Sequence, residues 1–124
     1  MNGLMKSGMM KKIKIGYSDY KIIDNDDADS DGQFNHVEKT IKITPTLSSS
    51  DRINILLHET LHGVWLHWGM DETTNSENTE EAVVTSIANG LTTVIRDNPD
   101  FLPNLNKLAQ SKEWDDQDVR SRAA

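Results

Sequence analysis

The run from Ile53 to Trp68 constrains this chain more than any other segment. Ile53, Leu56, Leu57, Leu61, Val64, Trp65 and Trp68 recur at spacings of three and four, the period of one face of an α-helix. Ser48, Ser49 and Ser50 stand in front of it as N-cap candidates, and Gly69 follows as the expected stop. A helix with so broad an apolar stripe must be covered by other parts of the same chain, and 124 residues are enough for one modest core but not for two.

The covering elements are legible on both sides. From Lys12 to Ile23, Ile13, Ile15, Tyr17, Tyr20 and Ile22 alternate with polar residues, which predicts one or two short strands with a break at Ser18-Asp19. Phe34, Ile41 and Ile43 predict a second hairpin that closes before Pro45. After the main helix, the polar run from Asp71 to Asn78 reads as a connection, and Thr79 as the cap of a second helix. Its apolar face is Val83, Val84, Ile87, Ala88, Leu91, Val94 and Ile95, and Asn98-Pro99 ends it. Phe101, Leu102, Leu105 and Leu108 predict a short third helix docked on the other two. The expected fold class is α+β: a small antiparallel-rich sheet followed by three helices, in a single domain over 1–124 with flexible tails at 1–11 and 111–124.

Cysteine is absent, so neither a disulfide nor a thiolate zinc site is available, and any zinc site must use His, Asp or Glu. A formal net charge of −7 argues against a nucleic-acid partner. No segment approaches the ~18 consecutive apolar residues of a membrane span and no signal-peptide core is present, so a soluble, cytoplasmic protein is expected.

Inside the main helix, His58-Glu59-Thr60-Leu61-His62 matches H-E-x-x-H. Residues four apart project from one face, so both imidazoles can reach one ion, with Glu59 beside it as the general-base candidate. A catalytic zinc site needs a third protein ligand and keeps a fourth position for water. The metzincin pattern fails, because Trp65 and Trp68 stand where it requires glycine and histidine. His67 lies five residues past His62, about 140° further round the helix, and reads as a boundary or surface residue. Glu77, Glu80 and Glu81 open the second helix; Glu81 stands in phase with Val84 and Ala88, Glu80 with Val83 and Ile87, and periodicity alone does not separate these two.

The stretches LLHETLHGVWLHWGM, EEAVVTSIANGL and VIRDNP resemble the small phage-associated zincins related to the ImmA/IrrE-type metallopeptidases. Weaker likeness extends to Gly32-Gln33-Phe34 and Lys39-Thr40-Ile41-Lys42-Ile43, the hairpin before the helix. The resemblance implies a gluzincin-like hydrolase with one Zn2+ per chain, whose third ligand is a glutamate seven residues before an alanine that follows a large apolar residue. Ile87-Ala88 is that pair here, which selects Glu81. It also implies a protein or extended peptide as substrate, hydrolysed by metal-activated water with Glu59 as base, and a minimal catalytic domain without a DNA-binding or sensor domain.

A second constellation points elsewhere. Asp27, Asp29, Asp31, Gly32 and Glu38 satisfy the spacing of an EF-hand Ca2+ loop, although the flanking segments read as strands and a solvated acidic loop is the ordinary alternative. A non-catalytic zinc- or calcium-binding protein is therefore the rival function. His36, in the second hairpin, is a candidate for polarising a substrate carbonyl, with a surface turn histidine as the alternative; Trp65 and Trp68 are expected at the core or its edge.

Overall fold

A computed structural model describes residues 10–68 and 77–111, the side chains of 77 and 78 excepted. The expected tails up to residue 9 and beyond 111, the stop at Gly69 and the connection at 71–76 lie outside the described residues. The chain divides into two compact units, Met1–Thr92 and Thr93–Ala124.

In the first unit, β1 (Lys12–Ile15) and β2 (Ser18–Asp24) pair antiparallel, with Ile15 opposite Ser18. The turn is thus Gly16-Tyr17, two residues before the expected break. Gly16 has φ 62°, the left-handed backbone that a two-residue hairpin turn requires and that glycine adopts without a steric cost. β3 (Gly32–Asn35) and β4 (Thr40–Ile43) form the second hairpin, also antiparallel. β4 lies parallel to β2, so the strand order is β1-β2-β4-β3 and the sheet is mixed, with β1 and β3 at its edges.

Alternation along the strands delivers one apolar face. Ile15, Tyr20, Ile41 and Ile43 are buried there, joined by Ile13, Ile22 and Phe34 from the sheet and by Ile55, Leu56 and Val64 from α1 (Ser49–His67). Ile41 is fully buried, and truncating such a side chain to alanine costs about 2–5 kcal/mol. Helix and sheet approach closely at Gly63, where a Cβ would stand 2.7 Å from Ile15 Cδ1 and 3.0 Å from Phe34 Cε1. Ser48 is the N-cap of α1, its hydroxyl accepting from the Asp51 N–H at 3.3 Å.

α2 (Glu77–Asp97) starts two residues before Thr79, the expected cap. Val84 and Ala88 are buried, whereas Val83 and Ile87 are partly exposed, so the covered face is narrower than the apolar pattern. Asn54 ties α1 to α2, its Nδ2 donating to Asn89 Oδ1 at 2.9 Å and to Thr92 Oγ1 at 3.2 Å. Trp65 is buried as expected, but Trp68, just past the end of α1, is 52% exposed. In the second unit, Asn98 Nδ2 donates to Val94 O at 2.9 Å at the end of α2, and α3 (Phe101–Ala109) follows. The architecture is α+β, a four-stranded mixed sheet followed by three helices. Among the described residues no helix is long and apolar enough to cross a membrane.

Candidate metal centre

His58 and His62 leave α1 one turn apart and turn their Nε2 atoms towards each other, 3.2 Å apart. From α2, the Glu81 carboxylate reaches both: Oε1 is 2.7 Å from His58 Nε2 and Oε2 is 3.1 Å from His62 Nε2. Among the described residues this is the one group of three His, Asp or Glu whose donor atoms lie within 4.8 Å of one another. Tetrahedral ligands at zinc bond lengths of about 2.0–2.1 Å stand roughly 3.3 Å apart, so the donor set fits a zinc ion with little adjustment.

The protonation pattern suits the same purpose. Glu80 Oε2 lies 2.6 Å from His62 Nδ1. A carboxylate is an acceptor, so Nδ1 is the donor there, and in the neutral ring that leaves the lone pair on Nε2, the atom that faces the other two donors. Burial holds the His58 imidazole below its ordinary pKa, an effect the Glu81 carboxylate opposes and the neighbouring His62 adds to; the neutral, ligating form is favoured. Glu80 and Glu81 therefore divide between them the roles that periodicity left open. Glu81 joins the donor set and Glu80 orients a histidine from outside it.

Glu59 is only 7% exposed, and burial is the main reason its carboxyl is pushed up to about 7, against the pull of His62 and with a smaller push from Glu81. Gly32, at the start of β3, makes room for it. A Cβ there would stand 3.2 Å from Glu59 Oε2 and 3.1 Å from Lys42 O, and would collide with Ile55 Cγ2. The centre opens into a cleft of about 590 Å3 lined by His58, Glu59, His62, Glu80 and Glu81 on the helices and by Gly32, Gln33, Phe34 and His36 on and beyond β3.

His36 stands outside the donor set but on the cleft. Its Nδ1 is 2.8 Å from the hydroxyl of the buried Tyr20, and that hydroxyl is 2.7 Å from His67 Nε2. His67 is therefore more than a boundary residue: the 140° rotation that turns it from the metal donors aims it at the sheet. Lys39 Nζ completes the group, 3.1 Å from His36 Nδ1 and 5.5 Å from the Tyr20 ring centroid. Tyr20 and Lys39 carried no spacing signal; their convergence depends on β4 lying beside β2.

The acidic loop is not gathered into a cation site. Asp27 Oδ1 accepts from the Asp29 N–H at 2.9 Å, and the buried Asn25 spans the loop, donating to Ser30 O at 2.7 Å and Thr44 Oγ1 at 3.1 Å. Glu38 lies beyond β3 in the next turn, its N–H bonded to Asn35 Oδ1 at 2.9 Å. Strand β3 separates Asp27, Asp29 and Asp31 from Glu38, so the helix-flanked geometry of an EF-hand does not form. No protein-family model, curated protein or solved structure matches this chain.

Proposed function

We propose that this chain is a zinc-dependent metallopeptidase of the minimal gluzincin kind that its resemblance to the ImmA/IrrE-type enzymes implies, with His58, His62 and Glu81 as ligands and Glu59 as general base. The observation that carries this reading is the convergence of His58 Nε2, His62 Nε2 and the Glu81 carboxylate at 2.7–3.2 Å, on the cleft that the buried Glu59 also lines.

When bound there, zinc supplies Lewis acidity and brings a water in its open position to a pKa near ~7. Glu59, buried on the wall of the cleft, is the proton acceptor. Its carboxylate takes the water proton as the new C–O bond forms, and its carboxylic acid returns the proton to the amide nitrogen as the C–N bond breaks. Glu80 keeps His62 in the tautomer that ligation needs. β3 is an edge strand, and Gly32, Gln33 and Phe34 run along the cleft. An extended peptide can add to that edge through backbone hydrogen bonds, which favours a protein or extended peptide as substrate.

The test is cleavage of an unstructured peptide mixture by zinc-loaded protein, read by mass spectrometry, with Glu59→Gln as the partner experiment. The variant should retain zinc and fold while cleavage falls by at least about a hundredfold. Equal cleavage by the variant, or none by the zinc-loaded parent, contradicts the reading.

A further inference from the structure

We propose that Lys39 and His36, held by Tyr20 and His67, form a carboxylate-binding subsite at the end of the cleft that His36 lines, recognising an acidic group of an extended peptide about four residues from the bond to be cut. This rests on the peptidase reading for its substrate, and on the following geometry for its chemistry.

The cluster is rich in donors and short of acceptors. An ammonium has three donors and no acceptor, yet Lys39 Nζ is directed at the ring of His36, 3.1 Å from Nδ1 and 3.3 Å from Nε2. The Tyr20 hydroxyl is shared between His36 and His67, whose rings stand edge to face at 5.6 Å. None of the described carboxylates pairs with Lys39, His36 or His67, in a chain of net charge −7 whose acids are plentiful. His67 is held below its ordinary pKa by burial and by the charges of His36 and Lys39, the direction expected where positive groups crowd without a counterion.

Backbone conformation makes the same point independently. Lys39 has φ 58°, the one left-handed non-glycine among the described residues. Glycine or asparagine takes that conformation more readily, so Lys39 is held there at a conformational cost.

The spacing to the metal centre identifies the occupant. Along β3, Gly32 is beside Glu59 and Phe34 beside Gly63, and just past its end His36 meets His67. Eight residues of helix at 1.5 Å, or four of strand at 3.3 Å, put His36 about 12–13 Å from Glu59. An extended peptide lying along β3 covers that in about four residues, and its carboxylate, at the chain end or on an Asp or Glu, meets Lys39 and His36.

Binding is measured on full-length zinc-loaded Glu59→Gln protein, so that no probe is consumed. The probes are three peptides of one sequence, ending in a free carboxylate, in an amide, and in an amide with one Asp at the fourth residue from the centre, together with acetate followed by the His36 ring NMR signals. At least one carboxylate-bearing peptide should bind about tenfold more tightly than the neutral amide, as a charge-assisted hydrogen bond provides. Preference for the free chain end alone, or for Asp as well, tells which carboxylate is read. Lys39→Gly, which suits the left-handed backbone, should abolish the preference and the saturable acetate shift. Equal binding of all three peptides, a preference that survives Lys39→Gly, or no saturable acetate shift and no peptide binding overturns the subsite. Carboxylate preference without cleavage by the parent protein sinks the peptidase reading alone, and cleavage without the preference sinks only the subsite.

Discussion

Glu80 Oε2 lies 2.6 Å from His62 Nδ1, on the side of the imidazole turned away from His58 and Glu81. Adjacent glutamates on α2 thus reach the same histidine by different nitrogens, one fixing its tautomer and the other standing beside its lone pair.

That division separates the two variants. Removing the Glu80 contact leaves three ligands in place, so Glu80→Ala should weaken zinc binding by roughly 10–100-fold, the usual effect of losing a carboxylate behind a ligating histidine. Glu81→Ala removes a ligand and should weaken it much further. Competition with a chromogenic chelator ranks them; equal losses contradict the assignment.

Glu59 gives the metal-free protein a pH signature. Its carboxyl titrates near 4.5 in the unfolded chain and at about 7 when folded. Between those values the folded protein holds a proton that the unfolded chain has released, so this group's contribution falls as pH rises and the full penalty is present above 7. Glu59→Gln should therefore be more stable than the parent by up to about 3 kcal/mol at pH 8 in chelator, with the gap closing towards pH 4.5. Urea midpoints across that range check it, and a gap that does not change with pH contradicts it.

Gly32→Ala tests the packing behind Glu59. The added Cβ meets Ile55, the Lys42 carbonyl and the Glu59 carboxylate, and overfilling a packed site costs about 1–3 kcal/mol. A denaturant midpoint unchanged from the parent would place Glu59 elsewhere.

Lys39→Gly should leave folding intact or stabilise it by up to about 1 kcal/mol, because relief of the left-handed backbone is partly offset by the greater freedom of glycine in the unfolded chain. Thermal melts decide; a marked loss of stability would mean that the contact of Lys39 with Tyr20 holds the hairpin in place.

What could be read from the residues divides by range. The N-cap at Ser48, the period of α1 and the common face of His58 and His62 are local properties, and they were legible. Periodicity did not separate Glu80 from Glu81, and only the resemblance favoured Glu81, because both open the same helix and their roles depend on how α2 crosses α1. The β1–β2 turn was displaced because Ser18-Asp19 is a polar pair of ordinary turn residues, while Gly16 takes φ 62° without a steric cost. The parallel pairing of β2 with β4 is a long-range property, and with it went Tyr20, Lys39 and His67 as a group. The EF-hand spacing is the opposite case: the residues fit a motif whose flanking helices this chain replaces with β2 and β4.

The central claim is the metal centre, and zinc content tests it most directly. Elemental mass spectrometry of the parent protein, Glu81→Ala and Glu80→Ala, each purified without added metal and then loaded and desalted, should find close to one zinc per chain in the parent, little in Glu81→Ala, and an intermediate amount in Glu80→Ala. A parent protein that holds no zinc and cannot be loaded with it would contradict the account.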